Sequence, residues 1–81
     1  MSSRARLYLS FPETLVERPL IFEAANRFGV MPNIRRANVE AHSGWVILEL
    51  TGEQRAIDDA VAWFSEIGVS VNRMEGDVLE S

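Results

Sequence analysis

Phe28-Gly29-Val30-Met31-Pro32-Asn33-Ile34-Arg35-Arg36-Ala37 carries the chain out of a helix and into a strand. Upstream of it, Leu20, Ile21, Ala24, Ala25 and Phe28 recur at helical spacing, with Glu23, Asn26 and Arg27 on the other side. That pattern predicts an amphipathic helix. Pro19 suits its first turn, where a missing N–H costs nothing, and Gly29 suits its C-terminal stop. Downstream, a strand is expected from about Met31 to Ala41. Its apolar positions slip in phase, Ile34 on one parity and Ala37, Val39 and Ala41 on the other. A bulge near Arg35-Arg36 reconciles the two halves.

The flanking segments complete the pattern. Arg4 to Phe11 alternates, with Ala5, Leu7, Leu9 and Phe11 on one side and Arg4, Arg6, Tyr8 and Ser10 on the other, which predicts a strand with one buried face. Pro12-Glu13 opens a polar loop. His42-Ser43-Gly44 reads as a hairpin turn. Trp45 to Thr51 follows as a third strand, with Val46, Leu48 and Leu50 facing one way and Trp45, Ile47 and Glu49 the other; Gly52 is expected to break it. Ala56, Ile57, Ala60, Val61, Phe64 and Ile67 form a second helical stripe stopped at Gly68. Val69 and Val71, with Met74 beyond, make a last strand.

The order is β-α-β-β-α-β. Right-handed crossovers then put both helices on one face of a four-stranded antiparallel sheet of spatial order 4-1-3-2. The expected fold class is therefore α+β, a ferredoxin-like sandwich. Eighty-one residues make one domain over 1–81, with a core of about 4–75 and a flexible polar tail over 76–81. A core of this size supplies only roughly 3–5 kcal/mol, so oligomerisation is a natural supplement.

Composition narrows the function classes. The chain has no cysteine, which excludes a disulfide framework, a thiolate metal site and a cysteine nucleophile. The net charge is −4 and all eight basic residues are arginine. An acidic balance argues against generic nucleic-acid binding despite the cluster of Arg4, Arg6, Arg35 and Arg36. No apolar run reaches membrane-spanning length and the first residues lack a signal-peptide core, so a cytoplasmic protein without membrane insertion is expected.

No reactive constellation stands out. His42 is the single histidine, without companions for metal binding or a nucleophile to activate. Asp58 and Asp59 are adjacent on a helix and point apart. The glycines sit singly at element ends, so no phosphate-cradling loop is present. The reading is of a protein that is not an enzyme and carries no cofactor and no metal.

Two surfaces remain as candidates. With helices covering Leu7, Leu9, Val46, Leu48 and Val71, the open face of the sheet should carry Tyr8, Trp45, Ile47 and Met74 among Arg4, Arg6 and Glu49. Such a patch suits a homodimer interface of Tyr8, Trp45 and Ile47 rimmed by Arg6 and Glu49; the alternative is a set of ordinary surface aromatics. The second surface is the start of the first helix. Its free N–H groups and dipole at Pro19 and Leu20 favour a carboxylate. Ile21, Met31 and Ile34 could wall an apolar side chain, and Asn33 could hydrogen-bond it. The competing reading makes Ile21 and Ile34 core residues and Asn33 a turn residue.

Phe11-Pro12, Pro19-Leu20-Ile21, Phe28-Gly29-Val30, Asn33-Ile34 and Ala37 form an ordered set with Gly44, Glu49-Leu50-Thr51-Gly52 and Ile67-Gly68-Val69. That set resembles the NIL domain pattern from about Leu7 to Met74. The resemblance implies a ferredoxin-like module related to ACT-type regulatory domains. Such modules occur at the C-terminus of methionine ABC-transporter ATPases, where they pair and bind methionine, and in fusions to iron–sulfur ferredoxin modules. It thus implies a regulatory, methionine-like amino-acid binder linked to sulfur amino-acid metabolism or transport, or else a ligand-free module docking on a partner enzyme or transporter. The family's name comes from an Asn-Ile-Leu triplet, and Arg35 stands in its third place here.

Overall fold

Alternation and helical periodicity place seven elements along the chain. In the computed structural model, which describes residues 2–74, they are β1 (Ser2–Phe11), a 3-10 turn (Glu13–Leu15), α1 (Leu20–Phe28), β2 (Met31–Val39), β3 (Gly44–Glu53), α2 (Gln54–Ile67) and β4 (Ser70–Arg73). The tail expected over 76–81 lies outside the described residues.

The four strands form one antiparallel sheet in the order β2-β3-β1-β4, the predicted order read from the other edge. β1 and β3 pair along their whole length, from Ser2 opposite Glu53 to Phe11 opposite Gly44. Their alternate residues Leu7, Leu9, Val46, Leu48 and Leu50 point to one face and are fully or almost fully buried. Against them lie Leu20 and Ala24 of α1 and Ile57, Ala60 and Phe64 of α2. These are spacings of three and four residues, as helix geometry requires of one buried stripe. Both helices end on a left-handed glycine, Gly29 at φ 71° and Gly68 at φ 110°, a conformation that a side chain would oppose.

The expected bulge is present: Ile34 faces Leu48 and Arg36 faces Ile47, leaving Arg35 as the extra residue. It keeps Ile34, Ala37 and Val39 on the helix side of the sheet despite their mixed parity. Several boundaries differ from the sequence reading: β1 begins at Ser2, β2 ends at Val39 and not Ala41, and β4 ends at Arg73, short of Met74. β3 runs through Gly52, which pairs with Ser3, because a cross-strand partner holds a glycine that propensity alone would release. Pro19 caps α1 from outside its first turn. The first loop contains a 3-10 turn that tucks Leu15 and Val16 half under the sheet's edge.

Candidate functional site

At the N-terminal end of α1 a cleft of about 160 Å³ opens between helix and sheet, lined among others by Phe11, Val16, Leu20, Ile21, Val39 and Val46. Each wall has a local cause. Phe11 is the last inward residue of the alternating β1. Val16 arrives through the 3-10 turn, whose Leu15 N–H bonds the Pro12 carbonyl at 2.9 Å. Pro19 has no side-chain cap to offer α1; the Leu20 N–H donates to the Arg18 carbonyl at 2.7 Å and the Glu23 N–H to that of Pro19 at 2.9 Å, which leaves the amides of Ile21 and Phe22 as those of the first turn that precede the helical ladder. Arg18 also lines the cleft, its guanidinium bonding both oxygens of Glu23 at 2.9 and 3.1 Å. That bidentate pair holds the Glu23 carboxyl below the usual carboxylate range.

Of the six residues the sequence nominated for a ligand, Pro19, Leu20 and Ile21 line this cleft; Met31, Asn33 and Ile34 do not. Met31 pairs with Thr51 at the other end of β2, roughly 25 Å from Val39 at about 3.3 Å per residue. Asn33 faces Glu49 on the open side of the sheet, and Ile34 sits mid-strand, half exposed, opposite Leu48. The helix and β2 run antiparallel, so the start of one lies beside the end of the other. Phe11, Val16, Val39 and Val46 were missed. The apolar pair Leu15-Val16 inside an otherwise polar loop was the signal that could have pointed to one wall.

The open face of the sheet forms the second concavity, about 230 Å³, lined by Arg6, Arg35, Arg36, Ile47 and Met74. Tyr8 and Trp45 stack beside it with ring centroids 5.8 Å apart and planes 19° from parallel. Arg6 bonds Glu49 at 2.8 Å, and Arg35 reaches the same oxygen at 3.4 Å from the bulge. The Arg6 hydrogen bond, with the charges of Arg35, Arg6 and Arg4, holds the Glu49 carboxyl below its ordinary value against partial desolvation. The face nominated for an interface is thus brought together as expected. Arg35, in the family's leucine place, belongs to this face and not to the cleft.

His42 meets Glu13 at 2.7 Å on an exposed surface, tying the β2–β3 turn to the 3-10 turn. Trp63 joins the helices edge-on against Phe28 at 5.8 Å. Among the described residues no cluster of three potential metal ligands occurs, and no helix is long and apolar enough to cross a membrane.

The NIL domain model matches residues 5–73 of this chain. The iron–sulfur subunit of L-aspartate semialdehyde sulfurtransferase from Methanocaldococcus jannaschii is 32% identical over 65 residues, 80% of this chain and 50% of that protein. An uncharacterised protein of Synechocystis sp. is 26% identical over 72 residues, 86% of this chain and 74% of the other. The chain therefore spans half the length of the first relative and about three-quarters of the second. Among solved structures, the C-terminal domain of an ABC transporter ATP-binding protein from Enterococcus faecalis superposes with a TM-score of 0.76 at 19% identity, over 86% of this chain and 82% of that one. At that identity the likeness is one of fold.

Proposed function

The chain belongs to the NIL domain family, and from that footing we propose that it is a non-catalytic regulatory module binding a small apolar amino acid of the methionine type. The observation that carries the reading is the cleft at the head of α1. Its volume of about 160 Å³ is well below the roughly 300–1,000 Å³ of sites for larger ligands, so it suits a single amino-acid side chain. Phe11, Val16, Leu20 and Val46 offer that side chain an apolar wall, on which a thioether packs softly. The amides of Ile21 and Phe22 in the first turn of α1 favour the ligand's carboxylate; Arg18 could join them only by leaving its pair with Glu23. The likeness to the sulfurtransferase subunit supports a link to sulfur amino-acid metabolism, with a role in transport as the other form of the same reading. Because Arg35 sits on the opposite face of the sheet, its charge leaves this cleft intact.

Thermal shift with methionine, homocysteine and cysteine tests the proposal. A saturable rise in Tm with methionine, abolished by Val16→Glu in a folded variant, is the expected result. No rise at millimolar ligand removes the small-molecule reading.

The second reading is a docking module that carries no ligand. The stacked Tyr8–Trp45 pair with Ile47 and Met74 beside it favours it, as a partner enzyme or transporter could cover that face. Under this reading Trp45→Glu abolishes partner binding and leaves the thermal shift unchanged.

A further inference from the structure

Charge is unevenly distributed over this chain. Among the described residues, the open face of the sheet between the Trp45–Ser10 and Thr51–Arg4 pairs carries four guanidiniums, Arg4, Arg6, Arg35 and Arg36, and one carboxylate, Glu49. That is a surplus of three positive charges on a chain whose net charge is −4. An acidic balance disfavours a generic nucleic-acid binder, but the footprint that matters is local. Arg6 and Arg35 share Glu49 at 2.8 and 3.4 Å, while Arg4 and Arg36 are exposed. By register, Arg36 lies two strands from Tyr8, and Arg4 lies four residues along β1 from it. The cations therefore spread over about 10 Å across the strands and about 13 Å along them.

The centre of the same face is aromatic. Tyr8 and Trp45 are half-buried, with planes only 19° from parallel, so a further ring can extend their stack. Asn72 sits opposite Tyr8 and Asn38 opposite Trp45, and each exposed amide can both donate and accept. Rings, amides and dispersed guanidiniums are the complements of bases, base edges and a run of phosphates.

We propose that the open face binds a single-stranded nucleic acid, with bases stacked on Tyr8 and Trp45 and successive phosphates along Arg4, Arg35 and Arg36. A free nucleotide presents its phosphate at one place and cannot meet cations this far apart. A duplex keeps its bases inside and gives the rings nothing to stack on. An acidic peptide answers the guanidiniums but brings no planar groups for the rings and amides. The face lies across the sheet from the cleft at the head of α1 and works independently of it.

Fluorescence anisotropy of the full chain with a fluorescein-labelled oligouridylate tests this. Three phosphate contacts on a single strand give a salt slope of about −2, so affinity should fall roughly twentyfold between about 50 and 200 mM salt. Arg36→Gln is expected to flatten that slope by about 0.7 with unchanged circular dichroism. Trp45→Ala is expected to weaken binding about tenfold through lost stacking and to leave the slope as it was. Arg55→Gln, on α2, should change neither. No binding at low salt and high micromolar protein overturns the proposal. So does uridine monophosphate binding as tightly as the strand, which would mean a mononucleotide site. A labelled polyglutamate binding as tightly also overturns it, in favour of an acidic protein partner. Wild-type affinity and slope in both Arg36→Gln and Trp45→Ala would put the strand on another surface and overturn it equally.

Discussion

Arg6 Nη2 donates to Glu49 Oε2 at 2.8 Å across the β1–β3 pairing, on the face of the sheet that no helix covers. Since that bond and the surrounding arginines hold the Glu49 carboxyl below its ordinary value, its contribution to stability has a defined sign. It is fully present above the pKa of the unfolded carboxyl and is lost as pH falls through the depressed folded value. Urea denaturation across the acid range should show Glu49→Gln with a flatter acid limb than the wild type. Parallel curves would show that the ion pair is not coupled to folding.

Gly29 stands at φ 71°, and a Cβ built there meets nothing within 4 Å. Its substitution by alanine therefore isolates the backbone cost of the left-handed turn, about 1–2 kcal/mol, read as a fall in denaturation midpoint with unchanged slope. Gly44→Ala is a different perturbation, since its Cβ would lie 3.1 Å from Val16 Cγ2. It should displace Val16 and weaken any response to methionine by more than it lowers stability.

Phe64 is fully buried between α2 and the sheet. Truncation to alanine should cost about 3–5 kcal/mol through lost transfer energy and the cavity left behind. For a domain this short, that loss approaches the whole of its stability. Phe64→Ala is expected to be largely unfolded at 37 °C by circular dichroism, and Phe64→Leu to retain most of the fold.

Tyr8 and Trp45 lie on a diagonal of the β1–β3 pair, since Tyr8 faces Ile47 and Trp45 faces Ser10. A double-mutant cycle to alanine at both should return a coupling of about 0.5–1.5 kcal/mol beyond area burial. A coupling near zero would mean that the two rings act independently and that the stack adds nothing to the face.

The architecture was legible because its signals are local. Alternation in Arg4–Phe11 and Trp45–Thr51, helical stripes ending on Gly29 and Gly68, and the phase slip at Arg35 each follow from backbone geometry over fewer than about a dozen residues. The open-face residues were legible for the same reason, as strand parity assigns them. The cleft was only half legible. Pro19, Leu20 and Ile21 lie in it, whereas Met31, Asn33 and Ile34, expected beside the start of α1 for their side-chain chemistry, do not. An antiparallel helix–strand pair separates such residues in space and brings Val39 to Leu20 instead.

By itself, the sequence determined the order of elements, the face each strand residue takes, the bulge and the family. All of these depend on spacing between neighbours, which any unfolded reading preserves. Only the tertiary structure decided which ends of the elements meet and which apolar residues find cover. Ile34 and Val39 have the parity of core residues, yet they remain exposed because β2 lies at the edge of the sheet. Burial is a property of neighbours brought together by the whole chain, and an edge position has too few of them to complete it.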